Sequence, residues 1–113
     1  MIKQDMIQRA VEQLAAVMGR IVGLISTERY EEALGEIREA KRSFPIVSGL
    51  IDTAPAPHLL RLLSADRCES LVALWHAEAD ALDGLGRTAR ATAAREKAQR
   101  LKTQIEHSAK RGR

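Results

Sequence analysis

Aromatic side chains are almost missing from this chain: one Trp, one Tyr and one Phe among 113 residues. A core built without large rings must rely on Leu, Ile and Val and on close contacts through alanine, a composition that favours helices over strands. Cysteine is reduced to Cys68, which excludes a disulfide within the chain and a thiolate zinc site. A reducing compartment, most simply the cytoplasm, is the expected location. No run approaches the roughly eighteen apolar residues of a membrane span. Residues 1–24 carry Asp5, Arg9, Glu12 and Arg20, so no signal peptide is expected there. The three prolines all fall between residues 45 and 57, leaving long stretches on either side free for helices. With 45% hydrophobic residues, the chain has enough apolar material for one domain and is too short for two.

Charge is unevenly spread. Residues 1–86 hold nine Lys/Arg against thirteen Asp/Glu, whereas residues 87–113 hold nine against two. The formal net charge of +3 therefore conceals an acidic body and a basic C-terminal segment.

Apolar positions recur at helical spacing from residue 3 to residue 25: Met6, Ile7, Ala10, Leu14, Val17, Met18, Ile21 and Ile25. Val11, Ala15 and Val22 widen this stripe beyond what one neighbour covers, so the helix is either buried on two sides or part of an oligomer interface, and a homodimer through it is expected. Ser26 or Thr27 is the expected cap of a second helix, with Glu28, Glu31 and Glu32 favouring its positive end. Its apolar face comprises Tyr30, Ala33, Leu34, Ile37, Ala40 and Phe44, and Pro45 stops it. The short connection predicts that these two helices pack antiparallel. Residues 45–57 read as a Pro-rich linker that touches the core through Ile46, Val47, Leu50 and Ile51. Pro57 suits the first position of a short helix carrying Leu59, Leu60, Leu62 and Leu63. Ser64 then caps a helix reaching about Asp83, and the last helix runs from after Gly86 to about Ser108 with Ala91, Ala94, Ala98, Leu101 and Ile105 on one face. The expectation is one domain over residues 1–108 and a frayed basic tail over 109–113.

The stretch Trp75-x3-Ala79-x2-Leu82, the Leu85-Gly86 turn and Ala91-x6-Ala98 resemble one tetratricopeptide (TPR) hairpin. Tyr30-x2-Ala33-x3-Ile37-x2-Ala40-x4-Pro45 follows the second-helix pattern of the same motif. Ala33 to Ala91 and Ala40 to Ala98 are both 58 residues, which aligns the two units with an insertion in the Pro45–Ser64 region. Arg95 stands where the motif has an aromatic and Thr103 where it has the closing proline. The whole chain also looks like a family of short uncharacterised bacterial proteins with TPR-like C-termini. That likeness lies in Met1–Leu14, Tyr30-Glu31-Glu32-Ala33-Leu34, Leu59–Ser64 and the second hairpin. The resemblance implies an all-α fold of about five helices: two antiparallel hairpins joined by a Pro-rich linker and a short helix. It implies no assigned activity.

Candidate chemical sites are few. His76 and Asp80 lie four apart on one helix, but a metal needs three or four ligands and no second cluster is visible. A solvated polar face is the expected reading. Cys68 lacks the residues that mark a Cys/His nucleophile and reads as a half-buried structural thiol. Gly84-Leu85-Gly86 has no strand before it and no Lys-Ser/Thr after it, so it is a helix-ending turn and not a phosphate loop. No cofactor, metal or catalytic residue is expected. The function expected is a non-enzymatic adaptor that binds an acidic protein or peptide in the groove between hairpins. Tyr30, Arg38, Arg87, Arg90 and Arg95 are its candidate contacts. The alternatives are nucleic-acid binding by the basic last helix, which lacks aromatics for base stacking, and a purely structural homo-oligomer.

Overall fold

The computed structural model describes the backbone of residues 2–46 and 49–111 and the side chains of residues 13–46 and 49–110. The described chain is helical and contains no strand: α1 (Ile2–Ser26), α2 (Tyr30–Arg42), α3 (Leu50–Thr53), α4 (Ala56–Leu62), α5 (Ala65–Gly84) and α6 (Thr88–Arg111). No described helix is long and apolar enough to cross a membrane.

Helix α5 is the centre of the molecule. Cys68, Leu71, Leu74, Trp75, Ala77, Ala79, Ala81 and Leu82 are all buried, which covers far more of its circumference than one neighbour requires. What stays exposed is a narrow stripe at three- and four-residue spacing: Glu69, Ala73, His76, Asp80 and Asp83. Four helices share the buried surface, with α6 making the most extensive contact and α1, α2 and α4 the rest. On α6 the stripe Ala91, Ala94, Ala98 and Leu101 is buried, with Ile105 packed at its end. The small side chains have a physical reason. Alanine on the packed face of α6 lets the helix axes approach closely, and anything larger would push them apart. Helix α2 buries Ala33, Leu34, Ile37 and Ala40 against α1 and α5. Those faces match the periodicity of the sequence.

The chain reverses twice by the same device. At the end of α5, the N–H of Arg87 donates to the Leu82 carbonyl and that of Gly86 to the Asp83 carbonyl, at 2.8 and 3.0 Å. Gly86 sits at φ +77°, the left-handed cap that lets a helix end and turn sharply. At the end of α1, Arg29 donates to Leu24 and Glu28 to Ile25, at 2.8 and 3.1 Å. Here the left-handed residue is Glu28, at φ 61°. Glu28 and Gly86 are 58 residues apart, as are Arg29 and Arg87, and Leu24 and Leu82. The offset read from the alanines thus extends to the backbone of the turns. Each turn sends the next helix back along the one before: Arg20 of α1 meets Glu36 of α2, and Arg95 of α6 meets Asp80 and Asp83 of α5.

Several expected details are corrected. Ser26 and Thr27 do not cap α2. Both hydroxyls donate back to the Gly23 carbonyl, closing α1, and α2 starts after Arg29 without a side-chain cap. Phe44 lies beyond the end of α2 yet is buried, because the chain turns at Ser43 and carries the ring inward. Helix α4 begins at Ala56, putting Pro57 second in the helix. The last helix continues through Arg111, three residues beyond the expected end at Ser108; Ala, Lys and Arg all favour helix, and cations suit its C-terminal end. Ser64 does cap α5, accepting from the Arg67 N–H at 3.3 Å. The side chains of Met6, Ile7, Ala10 and Val11 lie outside the described residues, as does Val47.

Glu28 carries a side chain where the backbone is left-handed, and Gly86 does not. Glu28→Gly is expected to raise stability, and Gly86→Ala to lower it, each by about 1 kcal/mol. Urea melts of the two variants check the opposite signs. A destabilising Glu28→Gly would mean that chain entropy outweighs the conformational strain.

Candidate functional site

A polar cleft lies where α2, α3, α5 and α6 meet, with a volume of about 380 Å³. Positions 31, 34, 38, 41 and 42 of α2 recur at helical spacing and form one wall, Arg87 and Arg90 the opposite one. Gly49, Ile51 and Asp52 of the α3 segment make the third side, with Glu78 of α5 beside them. Five cations (Arg38, Lys41, Arg42, Arg87 and Arg90) face three carboxylates (Glu31, Asp52 and Glu78).

The inner end of the cleft is a polar junction. The Lys41 ammonium, with its side chain only 13% exposed, donates to Asp52 Oδ1 at 2.9 Å and to Glu78 Oε2 at 3.0 Å. The same Asp52 oxygen accepts the Trp75 indole N–H at 3.0 Å, and the Lys97 ammonium lies 3.7 Å away. Four elements are thereby tied to one carboxylate. The indole of a buried Trp needs a partner for its N–H, and Asp52 supplies it. Burial by itself would push the Asp52 carboxyl up. The hydrogen bonds from Trp75 and Lys41 and the charges of Lys41 and Lys97 outweigh it, and the carboxyl is held below the usual range.

Towards the mouth the pairs are more exposed and weaker. Arg87 bonds Glu31 at 3.2 Å and Arg42 bonds Glu39 at 2.9 Å, exposed pairs of the kind that contribute little to stability. Arg38 and Arg90 are exposed and form no ion pair among the described residues.

Of the five residues expected to meet a partner, Arg38, Arg87 and Arg90 are brought together in this cleft. Arg95 is not. Its guanidinium is committed to Asp83 and Asp80 of α5, whose hydrogen bonds and charge hold its proton more firmly than usual despite some desolvation. Nor does Tyr30 line the cleft. Its ring lies over Gly84, where any β-carbon on residue 84 would overlap it, so this glycine is what lets the first turn of α2 approach the end of α5. Lys41 and Asp52 carry the junction and were not singled out by sequence. Asp52 lies 23 residues from Trp75, and Lys41 lies 37 from Glu78, separations that no local periodicity encodes.

The remaining candidates settle into structural roles. Cys68 is fully buried, not half-buried, with Sγ 3.7 Å from the Leu59 carbonyl oxygen. Burial and then the neighbouring Glu69 charge push its thiol up, away from the reactive thiolate. His76 and Asp80 stand on the solvent stripe of α5, and Asp80 is engaged by Arg95. Among the described residues, no three His, Cys, Asp or Glu side chains are grouped to hold a metal. A second groove of about 670 Å³ opens between α1, α2 and α5 over Leu14, Val17, Ala40 and Phe44; none of the expected contact residues lines it. Comparison with protein-family models, curated proteins and solved structures found no match for this chain.

The lowered Asp52 carboxyl means that the unfolded chain takes up a proton there more readily than the folded one. Acid therefore favours unfolding. The stability that Asp52 contributes is complete above the usual aspartate range and is lost as pH falls through it towards the lower folded value. Thermal melts between about pH 5 and about pH 3 are expected to fall more steeply for the wild type than for Asp52→Asn. Parallel profiles would exclude Asp52 as the coupled group.

Proposed function

We propose that this chain is a non-enzymatic interaction module with a TPR-like arrangement of two helical hairpins, and that it binds an acidic protein segment in the α2–α6 cleft. The observation that carries the reading is the surplus of exposed cations at the mouth, Arg38 and Arg90 above all, beside a junction whose charges are mutually satisfied. Free cations around a walled cleft steer and hold an anionic partner. The architecture is supported by the repeated turn geometry at 58-residue spacing and by the alanine-lined contact of α5 with α6.

One observation favours a protein partner over nucleic acid. The aromatic residues are spent on packing: Trp75 and Phe44 are buried and Tyr30 lies against Gly84, which leaves none to stack on bases.

Isothermal titration with a capped hexaglutamate peptide, run beside a thymidine oligonucleotide, tests the reading. The double variant Arg38→Glu/Arg90→Glu is expected to weaken peptide binding by about tenfold or more, with an unchanged melting curve because neither residue is paired. Arg95→Glu, by contrast, sets a carboxylate against Asp80 and Asp83 and is expected to lower stability. Tighter capture of the oligonucleotide than of the peptide would make nucleic acid the ligand.

We also propose that the chain self-associates through α1. Ala15 and Val22, seven residues apart on one face, are exposed, Val22 at 57%. Light scattering at micromolar concentration is expected to give a dimer mass that Val22→Glu reduces to a monomer; a monomeric wild type would reject the proposal.

A further inference from the structure

We infer that α3 is an autoinhibitory strap: Asp52 occupies the lysine that an acidic ligand needs, and ligand binding in the cleft displaces it. The inference rests on the reading of the cleft as a site for acidic segments.

Helix α3 is a four-residue helix in a segment flanked by Pro45 and Pro55, entered through Gly49 at φ +97°. Little holds it. Ile51 is its one buried residue, with Ile46 and Ala54 partly buried against the core on either side; Leu50 is 43% exposed, and the Thr53 hydroxyl bonds only to Gly49 within the same segment. Its polar anchor is Asp52, through Lys41, Trp75 and Lys97. The segment nevertheless forms one side of the cleft, so it is a loosely anchored wall.

Lys41 lies one turn beyond Arg38 on the same face of α2, and both line the cleft. A ligand carboxylate that pairs with Arg38 and Arg90 and extends inward meets the Lys41 ammonium next. That ammonium already holds two carboxylates. A third would set three carboxylates around that one ammonium, with Lys97, 3.7 Å from Asp52, the only other cation of the junction, an arrangement disfavoured at short range. One resident must leave. Glu78 stands on α5, the most deeply packed helix of the fold. Asp52 stands on the segment with a single buried anchor. Asp52 is the one that yields, because without Lys41 only a neutral donor, Trp75, and a cation at 3.7 Å are left to hold it. Its departure takes the hydrogen bond from the Trp75 indole and opens that side of the cleft.

The single tryptophan makes the motion visible. Capped hexaglutamate is titrated into the full chain, with calorimetry reporting binding, Trp75 emission reporting the indole, and amide exchange reporting residues 49–54. The expected result is saturable binding with a red shift of emission and faster exchange in the strap, both following the binding curve. Asp52→Asn is expected to show the red-shifted emission without peptide. It should also bind about three- to tenfold more tightly, since the ligand no longer works against the closed form. Glu78→Gln removes the same charge from a fixed helix and is expected to leave emission of the free protein unchanged. Binding by the wild type with neither emission nor exchange altered would overturn the strap and leave the cleft reading standing. Absence of binding would overturn both. The wild-type measurements decide the matter even where a variant folds poorly.

Discussion

The contact between α5 and α6 sets the spacing of everything else. The buried alanines Ala91, Ala94 and Ala98 give α6 little side-chain bulk on its packed face, and close approach is what small residues permit. With so few aromatic residues in the chain, burial has to come from contact length and closeness instead of from large side chains. Helix α5 takes this furthest, exposing a single narrow stripe, while Ile37 of α2, Ile21 of α1 and Leu59 of α4 pack into the same core. Adding a methylene or two at such a crossing costs about 1–3 kcal/mol in comparable cores.

The polar junction follows from that geometry. Trp75 is the largest buried side chain of α5, and its N–H must be satisfied where it is buried. Asp52 does so, and a carboxylate in that setting requires cations, which Lys41 and Lys97 provide. The three hydrogen bonds of Lys41 and Trp75 to Asp52 and Glu78 thus link the two halves of the molecule and the inserted segment between them. A buried network of this kind is costly when half satisfied, and here every described buried side-chain polar atom has a partner. The functional contrast lies in exposure. At the inner end the charges neutralise one another. At the mouth Arg38 and Arg90 remain available, and the ability to attract an anion is concentrated there.

Much of the architecture was legible along the chain. The stripe Ala33, Leu34, Ile37, Ala40 and the stripe Ala91, Ala94, Ala98, Leu101 are both buried as their periodicity requires, and Ser64 caps the helix it precedes. Boundaries were less legible, since hydroxyls such as Ser26 and Thr27 serve equally well at the end of one helix or the start of the next. For the site, Arg38, Arg87 and Arg90, singled out along the chain, line one cleft. Arg95 stands on α6 with Arg90, but its face of α6 turns to Asp80 and Asp83. The difference between a free cation and a committed one depends on what the neighbouring helix presents.

By itself, the order of residues determined which segments are helical, which faces are apolar and where the chain must turn, because those properties arise between residues a few positions apart. Tertiary structure alone decided that Asp52 meets Trp75 and Lys41, that Tyr30 rests on Gly84, that Cys68 is sealed in the core, and that four arginines line one cleft. Each is a meeting of residues that are distant along the chain, fixed by how closely packed helices cross, and no local pattern of spacing carries that information.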